Sequence, residues 1–223
     1  MEGISTRQRA LMAALDLFSR KGYQAVSMGD IAEVLGIKAP SLYKHFKGGK
    51  EEIYAALLPA LAEHYRALWA AAGQRQGQLE QDLQALGVLS VERLEQETLA
   101  WLQAEMEDPT ATAYRRLLTL GQFQEAEAKL LDRWLWAEPL ALYEGLFGRL
   151  IGREILRRGE PHVMAVEYLA PLMQCLTRQD RSPAEQATCL EEARQHIRQF
   201  HRVFARRENQ NAPQSGVSRL FRR

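Results

Sequence analysis

The stretch of sequence that decides the fold is residues 31–46, IAEVLGIKAPSLYKHF. The residues SMGD at 27–30, just before it, have the S-x-x-D form of a capping box, which predicts that a helix begins there. Gly36 ends this helix, because glycine readily adopts the left-handed conformation that follows a helix end. Pro40 suits the first turn of the next helix, where a missing N–H costs little. The pattern predicts two short helices joined by a glycine-containing turn, a helix-turn-helix.

The second of these helices has a buried and an exposed side. Leu42 and Phe46 are four residues apart, so we expect both to face the protein core. The side chains expected to face outward are Ser41, Tyr43, Lys44 and His45. In a helix-turn-helix the second helix enters the major groove of DNA. A surface helical hairpin with no DNA-binding role is the alternative that the hairpin alone leaves open.

The charge of the chain is unevenly distributed. The chain has 223 residues and a formal net charge of +1. Residues 1–50 carry eight Lys/Arg against four Asp/Glu, whereas residues 51–205 carry sixteen against twenty-three. The basic segment contains the hairpin, and a basic patch favours contact with phosphate groups. Residues 206–223 are basic and rich in polar residues, so we predict a disordered basic tail.

The rest of the sequence predicts an all-α protein, because apolar residues recur at helical spacing and strand patterns are almost absent. We predict an N-terminal helix-turn-helix domain of three helices over residues 1–48 and a larger helical domain over residues 49–205. Outside the hairpin, the predicted helices cover residues 6–21, 50–72, 78–86, 90–107, 124–158, 162–178 and 183–205, and a further helix begins after Pro109 and ends at about residue 120. A connector is predicted at 73–78.

Several protein classes are disfavoured by what the sequence lacks. The N-terminus does not resemble a signal peptide, and no apolar run is long enough to span a bilayer, so we expect a cytoplasmic protein. Cys175 and Cys189 are expected to be reduced packing residues. We find no G-x-G-x-x-G after a strand, no P-loop and no H-E-x-x-H. We therefore expect no enzyme, no cofactor and no metal site.

The N-terminal residues resemble the DNA-binding domain of TetR-like (TetR/AcrR) transcriptional regulators. The resemblance covers residues 6–57, TRQRALMAALDLFSRKGYQAVSMGDIAEVLGIKAPSLYKHFKGGKEEIYAAL. Two departures stand out. Three residues, KGG, separate Phe46 from Lys50, one more than in most members. Lys38 and Ala39 occupy positions where members often carry Ser or Thr followed by Lys or Arg.

The resemblance implies binding to double-stranded DNA as a homodimer on a palindromic operator. Two recognition helices would then enter successive major grooves. Lysines in the motif can neutralise phosphates or donate to guanine, and a tyrosine can offer its hydroxyl to phosphate and its ring to a thymine methyl. The residues that it implies as DNA contacts are Ser27, Lys38, Ala39, Ser41, Tyr43, Lys44, His45 and Lys50.

The resemblance also implies that the larger domain forms a ligand cavity and a dimer interface. Aromatic rings with a few polar groups are typical of small-molecule sites and would favour an apolar or aromatic ligand, or a cationic one through cation–π contact. Packing in the core is the alternative for each ring. The candidate ligand residues are Tyr65, Trp101, Tyr114 and Trp134.

A stripe of small residues follows one face of the long helix predicted over 124–158. Such a stripe permits close approach of another helix, which makes it a candidate dimer interface, and packing within one subunit is the alternative. The stripe consists of Ala141, Gly145, Gly148 and Gly152.

The function that these expectations favour is a dimeric, sequence-specific transcriptional regulator. A repressor released from a palindromic operator by a small molecule fits best. The alternative is a DNA-binding regulator controlled by a protein partner or by no ligand at all.

Overall fold

A computed structural model describes residues 5–86 and 90–206, with side chains except at 72–86 and 125. The described part is helical and contains no strand beyond an isolated bridge between Leu156 and Ala205, so the predicted all-α class is confirmed. The helices are α1 (Thr6–Lys21), α2 (Met28–Val34), α3 (Ala39–Tyr43), α4 (Gly49–Leu86), α5 (Val91–Glu107), α6 (Pro109–Leu120), α7 (Glu125–Asp132), α8 (Glu138–Gly152), α9 (Pro161–Arg181) and α10 (Gln186–Phe204). The predicted tail at 206–223 lies outside the described residues, apart from Arg206.

The first helix begins and ends where the sequence predicts. Ser5 and Gln8 form a reciprocal capping box, in which the Gln8 amide donates to Ser5 Oγ at 3.2 Å and the Ser5 amide donates to Gln8 Oε1 at 3.0 Å. These bonds satisfy amides that have no partner within the helix. Gly22 ends α1 at φ 79°, a conformation that favours glycine, and its amide donates to the Phe18 carbonyl at 2.9 Å.

The prediction of a non-helical connector at 73–78 is wrong. Helix α4 continues through this stretch and spans 38 residues from Gly49 to Leu86. Alanine, leucine, glutamine, glutamate and arginine dominate its second half. Their summed helix propensity outweighs the cost of Gly73 and Gly77, about 1 kcal/mol each.

The helix predicted over 124–158 is interrupted and shorter. A π-helical turn, Arg133–Ala137, separates α7 from α8. Pro139 follows this turn and has no N–H to donate to the carbonyl four residues back, so the i→i+5 pattern accommodates it.

The C-terminal end of α8 was also predicted too late. The helix stops at Gly152, and Glu154 adopts φ 61°. Ile155 and Leu156 follow the helix end and are both buried, at 4% and 2% exposure. The Arg157 amide donates to the Phe204 carbonyl at 2.7 Å, which holds this segment beside the end of α10.

The chain divides into two compact units. The first comprises the chain up to Trp69 together with Met106–Ala137, and the second comprises Ala70–Glu105 together with the chain from Glu138. The first unit therefore contains the predicted helix-turn-helix, the first part of α4, and α6 and α7. Helix α1 packs against α6 in this unit. The predicted boundary between residues 48 and 49 stays a prediction.

The second unit has an aromatic core centred on Tyr168. Its ring centroid lies 4.7 Å from that of Phe200, 5.1 Å from Tyr143 and 5.4 Å from Phe147. The Tyr168 hydroxyl is hydrogen-bonded to the Thr98 hydroxyl at 2.5 Å. Burial raises the pKa of Tyr168 well above its ordinary value. These rings stabilise the packing of α8, α9 and α10.

Candidate DNA-binding interface

Helix α2 is capped as the sequence predicts. The Asp30 amide donates to Ser27 Oγ at 3.1 Å, and the Ser27 amide donates to Asp30 Oδ2 at 2.7 Å. The Ser27 hydroxyl also donates to Asp30 Oδ2 at 2.6 Å. The two bonds that Asp30 Oδ2 accepts, first from the Ser27 hydroxyl and then from the Ser27 amide, lower the pKa of Asp30. Both donors of Ser27 are thus already used within the cap.

The turn between α2 and α3 rests on Gly36. This residue adopts φ 68°, and its amide donates to the Glu33 carbonyl at 3.0 Å. The Ile37 amide donates to the Ala32 carbonyl at 3.0 Å, so two carbonyls at the end of α2 are satisfied. Lys38 then precedes α3 without a side-chain cap, and Pro40 lies in the first turn. The position of Pro40 agrees with the sequence prediction.

The two sides of α3 are as predicted. Leu42 and Phe46 are fully buried. Tyr43 is 47% exposed, which is high for a large aromatic residue. The other predicted DNA contacts around α3 are exposed at Lys38, Lys44 and His45 and half-buried at Ala39 and Ser41. The helix itself is short, so Lys44 and His45 lie in the turn that follows it.

The buried side of α3 is supported by cations and rings of neighbouring elements. The Arg7 guanidinium lies over the Phe46 ring, 4.9 Å from its centroid. The rings of Phe18, Tyr23 and Tyr54 pack together. The centroid separation is 5.4 Å for Phe18–Tyr23, 5.8 Å for Phe18–Tyr54 and 4.6 Å for Tyr23–Tyr54. Helices α1 and α4 are thereby joined beneath the hairpin.

Lys50 takes part in this packing. Its Nζ donates to the Tyr23 carbonyl oxygen at 2.9 Å and lies 4.2 Å from the centroid of the Tyr23 ring. Lys50 is half-buried. Burial, followed by the negative charge of the nearby Glu51, raises the pKa of Tyr23.

An open groove of about 560 Å³ lies beside α3. It brings together Ser27, Tyr43 and Lys50 of the predicted DNA contacts. It also includes Lys47, which the sequence interpretation missed, although the lysine lies in the unusual KGG spacing. The groove is lined by Gln24, Ala25, Val26, Ser27, Met28, Tyr43, Lys47, Gly48, Gly49, Lys50 and Glu51.

Three of the four predicted ligand residues lie together in the first unit. Tyr65 and Trp134 stack with centroids 6.5 Å apart. His64, which the sequence interpretation missed, lies 5.9 Å from Tyr65 and 5.8 Å from Tyr114 in centroid separation. The fourth, Trp101, lies on α5 in the second unit and is 5% exposed.

Polar atoms border this ring cluster, which we define as His64, Tyr65, Tyr114 and Trp134. The His64 ring nitrogen Nε2 lies 3.1 Å from Asp108 Oδ2. The Trp69 indole donates to the Trp134 carbonyl at 3.0 Å. Within the described residues, the buried Trp134 indole nitrogen has no hydrogen-bond partner. A buried donor without an acceptor is costly, so a ligand acceptor at this position would be stabilising.

The predicted dimer stripe is largely open within the subunit. Ala141 and Gly152 are exposed, and Gly145 and Gly148 are half-buried. A Cβ added at Gly148 would lie 3.7 Å from Pro161 Cγ at the start of α9, whereas one added at Gly152 would meet nothing within 4 Å. Gly148 thus serves packing within the subunit, and its neighbour Gly152 faces free space.

In the described ranges, 5–86 and 90–206, no group of three or more His, Cys, Asp or Glu side chains is arranged to hold a metal ion. No helix in that part of the chain is long and apolar enough to cross a membrane. Cys175 and Cys189 are unpaired and buried, as expected.

Known proteins resemble the chain in two ways. Residues 10–57 match the family model described as bacterial regulatory proteins, tetR family. The transcriptional repressor ComR of Escherichia coli K12 is 39% identical over 61 residues, which are 27% of this chain and 29% of ComR. Against ComR and the other first-ranked curated relatives, the aligned part spans less than half of each relative's length.

The similarity of the whole chain is structural. A TetR-family protein from Mesorhizobium loti MAFF303099 superposes with a TM-score of 0.65 at 18% identity, over 90% of this chain and 96% of that one. SmeT, the repressor of the Stenotrophomonas maltophilia multidrug efflux pump SmeDEF, superposes with a TM-score of 0.60 at 16% identity, over 91% of this chain and 92% of SmeT. SmeT is also known as a complex with triclosan. Relatives that are transcriptional regulators agree with the prediction that the chain is not an enzyme. The chain thus matches the tetR family of bacterial regulatory proteins by sequence over residues 10–57, and its described helices share the fold of TetR-family structures.

Proposed function

We propose that the protein is a homodimeric, sequence-specific DNA-binding transcriptional regulator, and that it represses from a palindromic operator until a small molecule releases it. One observation supports DNA binding above the others. Leu42 and Phe46 are fully buried and anchor α3, while the side chains between them, from Tyr43 to His45, are exposed. An anchored helix with a polar, basic outer side is what major-groove recognition requires.

The roles of the exposed side chains follow from their chemistry. Lys44 can donate to guanine acceptors or to phosphate, and Tyr43 can contact a phosphate or a thymine methyl. Lys38, Ala39, Ser41 and His45 complete the proposed contact surface. Backbone contacts orient the protein, and only contacts to base edges give sequence specificity.

The proposed dimer uses the stripe on α8. Gly152 and Ala141 leave open surface on which a second copy can approach closely. A two-fold dimer would present two α3 helices about 34–36 Å apart, one turn of the DNA duplex. An operator with inverted half-sites follows from that symmetry.

The proposed ligand site is the ring cluster in the first unit. Its rings offer apolar surface, and the unpartnered indole nitrogen of Trp134 offers a donor. The SmeT–triclosan complex shows that a neighbour of the same fold takes an aromatic molecule. We therefore propose an apolar or aromatic ligand with a hydrogen-bond acceptor.

Helix α4 can couple the two sites, because it carries Lys50 near the hairpin and Tyr65 in the ring cluster. The two residues are about 22 Å apart along the helix axis. A ligand that moves α4 would change the separation of the recognition helices. Binding the DNA-incompetent state about 10²-fold more tightly supplies about 2.7 kcal/mol of coupling, a typical value.

The experiment that tests DNA binding is selection from a pool of random duplexes, with the Lys44→Ala variant in parallel. We expect the parent to enrich an inverted repeat. If Lys44 contacts a base, the variant loses about 1–3 kcal/mol and relaxes specificity at one position of each half-site. If the parent enriches no sequence at low salt, the proposal is wrong.

The second candidate function is a DNA-binding regulator controlled by a protein partner or by no ligand. The observation in its favour is that Tyr65 and Trp134 stack on each other and are buried, as core residues would be. Thermal-shift measurements with planar aromatic compounds, made on the parent and on Trp134→Phe, separate the two candidates. Stabilisation of the parent alone supports the ligand-controlled regulator, and stabilisation of neither supports the second candidate.

A further inference from the structure

The lysine that the resemblance assigns to phosphate is already engaged inside the protein. Lys50 Nζ has an acceptor in the Tyr23 carbonyl at 2.9 Å and an aromatic face in the Tyr23 ring at 4.2 Å. Reaching out to a phosphate would require breaking both contacts. The loop between α1 and α2 would then lose the cation that holds it against α4.

A nearby carboxylate strengthens this internal role. Glu51 lies near the Tyr23 side chain, over whose ring Lys50 lies, and its negative charge raises the pKa of Tyr23. The positive charge of Lys50 and the negative charge of Glu51 therefore both lie near Tyr23, and their fields partly cancel at a distance. Such a pair adds little attraction for an approaching phosphate.

Lys47 is in the opposite situation. It is exposed, lines the groove beside α3, and pairs with no carboxylate among the residues that the structure describes. Ser27 and Tyr43, two predicted DNA contacts, line the same groove. A backbone phosphate in this groove would meet the Lys47 ammonium beside the Tyr43 ring.

The KGG turn explains why the two lysines differ. Gly49 adopts φ 70°, its amide donates to the Phe46 carbonyl at 3.0 Å, and α4 begins there. The Gly48 amide donates to Glu52 Oε2 at 2.9 Å, which fixes the turn. A Cβ added at Gly49 would lie 3.6 Å from Tyr43 Cε1, so the turn passes close to the Tyr43 ring. Lys47 is the first residue of this turn and is exposed, whereas Lys50 follows the turn and is half-buried.

Building on the proposed DNA-binding function, we propose that Lys47, rather than Lys50, makes the DNA-phosphate contact at the start of α4. Lys50 is a positioning residue that holds Tyr23 through its carbonyl and its ring. The groove that contains Lys47, Ser27 and Tyr43 receives one backbone phosphate of each half-site. The salt dependence of DNA binding therefore depends on Lys47.

The test compares Lys47→Gln and Lys50→Gln with the parent. Binding to the selected duplex is measured by fluorescence anisotropy between about 50 and 200 mM salt, the range over which phosphate contacts change affinity strongly. We expect Lys47→Gln to reduce the slope of log K against log salt by roughly 0.9 per half-site. Its affinity should fall by the same factor for specific and non-specific duplexes. The matched control is Lys129→Gln, which removes a lysine on α7 and should leave the slope unchanged.

The positioning role of Lys50 has a different readout. Lys50→Gln should lower the thermal unfolding midpoint and leave the salt slope at the parent value. An unchanged slope in Lys47→Gln, or a reduced slope in folded Lys50→Gln, would overturn the inference. If Lys50→Gln does not fold, the exposed Lys47 variant decides the question alone. A parent protein that binds no duplex would instead contradict the proposed function itself.

Discussion

The hydrogen bond between Tyr54 and Glu127 gives the sharpest prediction about the first unit. The Tyr54 hydroxyl donates to Glu127 Oε1, and this bond joins α4 to α7. Glu127 is only 7% exposed, although it is a carboxylate. Burial, followed by the bond to Glu127, raises the pKa of Tyr54, so the hydroxyl remains a donor throughout the stable pH range.

The perturbation is Tyr54→Phe, which removes the hydroxyl and keeps the ring that contacts Phe18 and Tyr23. A hydrogen bond to a charged group contributes about 1.5–3 kcal/mol, and here its loss leaves a buried carboxylate oxygen without a donor. For a chain of this length the thermal midpoint should fall by roughly 3–12 °C. Glu127→Gln keeps an acceptor and removes the charge, so its effect should be smaller.

The assay is thermal and urea unfolding followed by circular dichroism. Tyr43→Phe is the matched control, because it removes a hydroxyl from a tyrosine that is 47% exposed, and its midpoint should match the parent. Equal midpoints for Tyr54→Phe and Tyr43→Phe would refute the argument. So would a double variant, Tyr54→Phe with Glu127→Gln, whose loss equals the sum of the single losses, because bonded partners must couple.

Three further predictions concern the cap, the thiols and the dimer. Ser27→Ala removes the capping box of α2 and should cost about 1 kcal/mol in urea unfolding; an unchanged urea midpoint would contradict this. Burial raises the pKa of Cys175 to about 11, so folded protein at neutral pH should react slowly with a thiol reagent such as DTNB and quickly in urea. Thiol reactivity that is equal in folded and unfolded protein would contradict the burial of Cys175. The pKa of Cys175 in the folded protein exceeds the value of about 8.5 for a free thiol, so the unfolding free energy should fall as the pH rises from about 8.5 towards 11. Gly152→Leu should yield a monomer by light scattering with the thermal midpoint of the subunit preserved, whereas Gly148→Leu should also strain the contact with Pro161; a Gly152→Leu protein that stays dimeric removes the stripe as interface.

The hairpin could be predicted from the sequence because its signals are local. Ser27 and Asp30 cap each other within three residues, and Gly36 adopts the φ that only glycine accepts easily. The buried positions Leu42 and Phe46 follow from helical spacing alone. Each of these features is decided within a few residues, so tertiary structure had little to change.

The features that the sequence did not reveal depend on distant residues or on summed effects. Helix α4 runs through Gly73 and Gly77 because the helix propensities of many neighbouring residues add up. A prediction that treats each glycine as the end of a helix misses this sum. The inward direction of Lys50 depends on a carbonyl 27 positions earlier in the chain. Glu127 reads as an ordinary surface glutamate until its partner Tyr54, 73 positions away, is known.

These long-range contacts bear on how a ligand signal would travel. The first unit contains Lys50 and Tyr54 at one end of α4, and Tyr65 with Trp134 further along it. Glu127 on α7 bonds to Tyr54, and α7 leads directly into the π-helical turn that carries Trp134. A ligand that moves Trp134 would act on α4 through the stacked Tyr65 and through the Trp69 indole that donates to the Trp134 carbonyl. The bond from Tyr54 to Glu127 adds a route through α7. If this bond transmits part of the proposed signal, Tyr54→Phe should preserve operator affinity in the absence of ligand and weaken release by ligand. Release equal to that of the parent would exclude the bond between Tyr54 and Glu127 as a route of transmission.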